Sequence, residues 1–225
     1  MRIKINFKGS NTAYENNNLK QVKGWFEDNA IGRHNDMHDK FSNYSLSPMM
    51  GGKRNGKYIS YPDGGYVYFT TMDIELINMV SNNLFCNCKG SKVGDLEYKW
   101  FESVPDFHIH SDFDLVRTMS PVLMRMKDKS YMTVKDEKFI DELLSRSKRK
   151  LIKAGLNENK VNTLNMSMFH PENASTVNMQ YNGIPNIGSK VMFVVTGDKH
   201  VRETLYSMGL GMSTGCGFGT VTVNE

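Results

Sequence analysis

The 225-residue chain has little cysteine, three in all, and only two tryptophans. Three cysteines cannot build a disulfide framework, which points to a reducing, cytoplasmic setting. Nowhere do apolar residues run to the roughly 18–20 that a membrane span needs, so no membrane partner is expected. The opening Met1-Arg2-Ile3-Lys4-Ile5-Asn6-Phe7 alternates polar with apolar and lacks the apolar stretch of a secretion signal. Charge of one sign is scarce too: 28 Lys+Arg against 24 Asp+Glu leave +4, too little to prove a nucleic-acid partner. What is present is a globular composition, 39% hydrophobic and 11% aromatic, sufficient for a core and unlike a disordered chain. The length fits one large domain or two small ones.

Hydrophobic periodicity places the elements. Ile3, Ile5 and Phe7 share one face of a strand over residues 1–8, and the polar stretch 9–18 reads as a loop. Leu19, Val22, Phe26 and Ala30 have helical spacing, closed by Gly32. Strands are predicted over 41–46 and 66–69, a basic turn over 51–57, and a helix over 73–84. Extended segments follow near 93–101 and 107–109. The second half is predicted to open with a strand over 120–126. Its longest helix spans 135–153, with an apolar stripe through Phe139, Leu143 and Leu151. Strands at 163–169, 176–181 and 190–196, a helix over 198–208 and a last strand over 220–223 complete it.

The halves repeat one another. Under one constant offset Thr71 meets Thr196, Asp73 meets Asp198, Leu76 meets Val201 and Val80 meets Leu205. Each half reads strand–helix–strand–strand–helix–strand, the split βαβ order. The expected fold is α+β: tandem ferredoxin-like (RRM-like) βαββαβ domains over residues 1–117 and 118–225. Any strand entering a capped helix gives a similar local pattern, since Asp is a favoured N-cap.

The most informative motif lies near the C-terminus, Gly209-Leu210-Gly211-Met212-Ser213-Thr214-Gly215-Cys216-Gly217-Phe218-Gly219. Five glycines in eleven residues follow a helix and precede a strand. Such a loop can present main-chain N–H groups to a phosphate chain. It is no P-loop, because no Gly-Lys-Ser/Thr follows. It is no dinucleotide fingerprint, because it leads into a strand rather than a helix. A glycine-rich connection that packs two elements closely fits the same residues.

Two Gly-hydrophobic-Gly triplets separated by five residues resemble the signature of the repeat-associated mysterious protein (RAMP) superfamily. Over most of its length the chain resembles, within it, the CRISPR-associated endoribonucleases that process precursor CRISPR RNA. The strand from Lys190 to Val195 and the helix from Val201 to Met208 approach the glycines as in that family. So do the histidines His34 and His38 before Tyr44-Ser45-Leu46, and the stretch Thr118 to Arg125. The resemblance implies cleavage within CRISPR repeat RNA, without metal or other cofactor, to leave a 2′,3′-cyclic phosphate or its opened form and a 5′-hydroxyl. Such a reaction needs a base for the 2′-OH, an acid for the leaving 5′-oxygen and positive charge around the phosphorane. Histidine, with a pKa near 6.5, suits either proton transfer.

The catalytic candidates are His38, His34 and Lys40; a solvated polar loop after a helix is the plainer reading of the same histidines. Family members often pair the histidine with a first-helix tyrosine, and here that helix offers Trp25 and Phe26 instead. Phosphate contact is expected from Lys53, Arg54 and Lys57, and from Arg146, Lys148, Arg149 and Lys150. With Lys153, the second group gives five cations in eight residues, which would also suit a helix C-terminus. The glycine loop, through Gly209, Gly211, Gly215, Gly217 and Gly219, is expected to support the RNA backbone. One alternative is a non-catalytic RNA-binding RAMP subunit among effector-complex proteins. A second is a zinc-stabilised interaction module built on Cys86, Cys88, His108 and His110, whose i, i+2 pairs could each face one side. Monomer and homodimer are equally compatible with the sequence.

Overall fold

The computed structural model describes residues 1–15, 18–32 and 43–224. The first half contains β1 (Arg2–Phe7), β2 (Ser10–Glu15), α1 (Leu19–Trp25) continued by a π-helical segment (Phe26–Gly32), β3 (Tyr44–Leu46), β4 (Lys53–Asn55), β5 (Tyr58–Tyr61), β6 (Gly65–Thr71), α2 (Ile74–Cys86), β7 (Lys92–Val93) and β8 (Leu96–Val104). The second contains β9 (Phe113–Thr118), β10 (Val122–Leu123), α3 (Phe139–Lys153), α4 (Glu158–Asn162), β11 (Asn165–Phe169), β12 (Ser175–Tyr181), β13 (Ile184–Lys190), β14 (Met192–Thr196), α5 (Lys199–Met208) and β15 (Val221–Val223).

Two antiparallel sheets carry the fold, in the orders β3-β6-β1-β8-β7 and β11-β14-β9-β15. In each, the opening strand is central, flanked by the third and fourth strands of the βαββαβ unit, with the second at the edge. Both halves are therefore ferredoxin-like, the tandem arrangement read from the repeat. The equivalence reaches single atoms. Asp73 Oδ1 accepts from Leu76 N at 3.0 Å, and Asp198 Oδ1 accepts from Val201 N at 3.2 Å, so both helices start on the same cap.

Each sheet buries one face beneath its helices. Ile3, Ile5 and Phe7 meet Val22, Trp25, Phe26, Leu76 and Val80 in the first core. Val116, Phe193 and Val195 meet Phe139, Leu143, Leu151 and Leu205 in the second. Full burial of each such side chain is worth about 1.5–3 kcal/mol. A third cluster of Leu19, Leu123, Met179 and Phe218 spans the halves. The glycine loop fastens them further: Thr214 Oγ1 donates to Tyr44 O at 3.1 Å, and Thr220 Oγ1 to Leu46 O at 3.3 Å.

Several features differ from the sequence expectation. The stretch read as a loop before α1 forms β2, which pairs with β5 in a small three-stranded sheet with β4. Its side chains are mostly exposed, so backbone pairing holds it and no apolar alternation marks it. The opening strand of the second sheet is β9, not 120–126, where only the two-residue β10 forms, paired with β13. β13 is absent from the sequence reading because Pro185 and Gly188 interrupt its pattern; it pairs with β12 along its whole length. Arg2, on the face of β1 opposite Ile3, Ile5 and Phe7, is also buried, against Tyr68.

Candidate functional site

Helix α3 buries Phe139, Leu143 and Leu151 and turns its basic side chains away from that stripe. Arg146, Arg149, Lys150 and Lys153 then line a cavity of about 540 Å³ whose opposite wall is Gly211 to Thr214 of the glycine loop. Lys127 and Glu142 complete it. Arg146 is held rigidly: its Nε donates to Glu142 Oε1 at 2.6 Å and its Nη1 to Arg125 O at 2.9 Å. Arg149 sits looser, 3.7 Å from the same carboxylate, with its side chain 68% exposed. Lys150 reaches across to the loop, donating to Met208 O at 2.7 Å, Gly209 O at 3.2 Å and Thr214 Oγ1 at 3.3 Å. It thereby occupies carbonyls at the C-terminal end of α5, where positive charge is favoured. Burial pushes its pKa down to about 7.

The structure brings Arg146, Arg149, Lys150 and Gly211 into this one cavity. Lys148 turns elsewhere, its Nζ donating to Asn162 O at 3.2 Å. Gly209, Gly215, Gly217 and Gly219 are buried. Gly217 has φ +92°, and a Cβ there would run into Leu19; Gly219 has φ +64°, and a Cβ would run into Leu210 O. These two positions need glycine for close packing. Loop N–H groups are partly committed already: Leu210 N to Gly219 O, Met212 N to Leu123 O, and Gly219 N to Pro121 O. Lys53, Arg54 and Lys57 lie on the exposed β4–β5 hairpin of the small sheet and do not line this cavity. There Lys53 pairs with Asp63 at 2.6 Å and Lys57 lies 5.2 Å from the Tyr58 ring centre. His34, His38 and Lys40 lie outside the described residues.

A second cavity of about 800 Å³ has no counterpart in the sequence expectation. Phe169, Met192, Arg117 and Thr222 stand in register across the helix-free face of the second sheet and line it together with Lys190, His170, Met50 and Met119. Beside it Arg2 is buried, 4.0 Å from the Tyr68 ring centre, with Nη2 2.9 Å from Met119 Sδ. Burial lowers its pKa, partly offset by Tyr68 and Tyr66. Sequence alternation does predict which residues of a strand share that face; it does not predict that a loop methionine from each half closes it.

The zinc arrangement is not built. Cys86 is exposed at the end of α2, whereas Cys88 is buried with its thiol 3.6 Å from Asn29 O. Burial pushes the Cys88 thiol up to about 11, which disfavours the thiolate a metal would need. His108 and His110 pack on each other, ring centres 4.8 Å apart, and among the described residues no three His, Cys, Asp or Glu side chains gather as a metal site.

A family model described as CRISPR associated protein Cas6, C-terminal, matches residues 103–223. The chain belongs to the Cas6 family. Membership makes it a CRISPR-associated RAMP protein with a role in RNA processing or RNA binding. A search of the curated proteins found no match. Among solved structures, a Cas6-related protein from Pyrococcus furiosus superposes with a TM-score of 0.85 at 18% identity, covering 100% of this chain and 98% of that one. A RAMP protein described as binding different RNA substrates gives 0.84 at 16%, with 100% of both chains covered. Another Cas6 protein gives 0.79 at 20%, covering 100% and 99%. At these identities the structural likeness speaks for the fold, which is tandem ferredoxin-like in this family. Among the described residues, no helix is long and apolar enough to cross a membrane.

Proposed function

We propose that this Cas6-family protein is a metal-independent endoribonuclease that cuts precursor CRISPR RNA within its repeats. One observation supports an RNA substrate above all others. Cations of α3 and the exposed part of the glycine loop, far apart in sequence, line a single cavity. Arginine and lysine there would neutralise phosphates and fix the register of the strand without reading bases. Cleavage itself is assigned to His38 or His34, with Lys40 as the nearby cation. One imidazole takes the 2′-OH proton as that oxygen attacks the phosphorus. The P–O5′ bond then breaks, and a protonated group returns a proton to the 5′-oxygen.

The test is single-turnover cleavage of repeat RNA in EDTA, with a 2′-deoxy substitution at the scissile nucleotide as control. The deoxy substrate stays intact, and His38→Ala or His34→Ala slows cutting by about 10²–10⁴-fold, the usual worth of a general acid or base. If both histidine variants cut at the wild-type rate, the assignment falls.

A non-catalytic RNA-holding role is the second reading, and one observation favours it. Neither α1 nor its π-helical continuation contains a tyrosine, and their aromatics Trp25 and Phe26 are buried in the first core, 5% and 1% exposed, so this helix supplies no phenol for proton transfer. Tight binding of repeat RNA with no cleavage would decide for it.

A further inference from the structure

Strand β9 alternates strictly. Asp114, Val116 and Thr118 are buried beneath the helices, while Phe113, Leu115 and Arg117 take the helix-free face. At the Phe113 end of that face lies a cavity of about 330 Å³, lined by His110, Ser111, Asp112, Phe113, Leu115 and Asn224. Phe113 is 50% exposed and belongs to none of the buried clusters. The segment before it is fixed from below. Arg202 Nη2 donates to His110 O at 2.7 Å and to Ser111 O at 3.3 Å, and Asp114 Oδ1 accepts from His110 N at 2.9 Å. Arg202 and Asp114 are themselves fully buried and paired at 2.7 Å. A buried ion pair gains little over an apolar replacement; this one holds the backbone that forms one wall of the cavity. His108 stands edge-on to His110, ring centres 4.8 Å apart. On the other side Asn224 N donates to Leu115 O at 2.8 Å, which keeps Asn224 beside β9.

The chemistry of this cavity is the reverse of that between α3 and the glycine loop. No lysine or arginine lines it, and the Asp112 carboxylate would repel a phosphate. What it offers is a flat aromatic ring beside an acceptor-only carboxylate, with an imidazole, a hydroxyl and an amide around them. A nucleobase has the complement, a face to stack and a polar edge to bond. Unpaired bases stack on exposed aromatics of four-stranded sheets of this topology. The volume, at the small end of the range for ligand pockets, suits one base rather than a length of strand. The carboxylate selects among the bases. Guanine alone presents two adjacent donor groups, N1–H and the 2-amino group, to its two oxygens. Adenine and cytosine offer one amino group beside a bare ring nitrogen, and uracil a single N–H between carbonyls. Guanine O6 is left to accept from His110 or Asn224.

We propose that this cavity takes one unpaired guanine of the bound RNA, stacked on Phe113 and read by Asp112. The inference rests on the RNA-binding reading above and assigns base specificity to residues outside the α3 cavity. Phe113 holds any base, whereas Asp112 distinguishes guanine, so their removal has different signatures.

The experiment measures affinity of the full chain for the single-stranded RNA hexamers UUGUUU, UUAUUU, UUCUUU and UUUUUU at one ionic strength. The guanine hexamer binds about tenfold more tightly than the others, within the usual worth of one bidentate contact. In Asp112→Asn that preference shrinks to within about twofold, because the amide turns a donor toward guanine's own donors. Phe113→Ala weakens binding of UUGUUU by about fivefold or more, and Phe113→Tyr keeps the wild-type affinity. Both side chains are exposed, so neither change disturbs the core. A 2′-deoxy-blocked repeat RNA is measured alongside, so that binding is read without cleavage. Equal binding of the four hexamers, or a guanine preference that survives Asp112→Asn, overturns the site; the RNA-binding reading stands if the repeat RNA still binds. Failure of the wild type to bind repeat RNA as well overturns both.

Discussion

Asp114 and Arg202 are both fully buried, with Nη1 and Oδ2 2.7 Å apart. Asp114 is a hub: Oδ2 also accepts from the Tyr206 hydroxyl at 2.8 Å, and Oδ1 from His110 N at 2.9 Å. Arg202 in turn donates to His110 O at 2.7 Å. Burial, with Asp114 beside it, pushes the Tyr206 phenol far above its ordinary range. Removing one partner of such a pair strands a charge without solvent and costs about 3–5 kcal/mol. Asp114→Ala should therefore lower Tm by roughly 10 °C in a chain of this size. The double variant Asp114→Leu with Arg202→Met should lose less than Asp114→Ala alone, because no charge is then left unpaired. Calorimetry on both variants checks this; a double variant worse than the single would contradict it. The sequence offers no hint of this hub, since Asp114 stands on a strand that the apolar pattern does not reveal.

Elements with a buried stripe and a cap are legible in the sequence. α2 and α5 announce themselves through Asp73 and Asp198, and α1 through Leu19, Val22 and Phe26. β2 and β13 are not, because their stability comes from backbone pairing in small sheets with few buried side chains. The packing of α3 on the loop after α5 is equally hidden, although it sets the chemistry of Lys150. That lysine has a folded pKa near 7, lowered by burial, against an ordinary value of 10.5 in the unfolded chain. Between these two values the unfolded chain binds a proton that the folded one does not. Stability from this group therefore rises with pH across the window, by at most about 1.4 kcal/mol per pH unit. Below about pH 7 both states are protonated, and the cost of burying the charge is present in full. Urea unfolding at pH 7 and 9.5 should show wild type gaining stability relative to Lys150→Met. An unchanged difference would mean that the three hydrogen bonds outweigh burial and keep the ammonium charged in the folded chain across this range.

At the scale of the whole molecule the net charge of +4 says little, and the distribution says more. The repeat makes the two sheets readable, yet the sequence does not say which basic run faces the glycine loop. That depends on how α3 and α5 pack, and it separates neighbours along one helix. Arg146, Arg149 and Lys153 line the cavity, while Lys148 bonds Asn162 O beyond it. Charge that merely raises the overall potential would act alike from any of these positions. Charge that touches phosphate would not. Replacing Arg146, Arg149 and Lys153 together by alanine should reduce the salt slope of repeat-RNA binding by about 2, at roughly 0.7 for each phosphate no longer neutralised. Lys148→Ala should leave the slope unchanged although it removes the same unit of charge from the same helix. Equal effects per charge at all four positions would show that α3 attracts RNA from a distance without holding it.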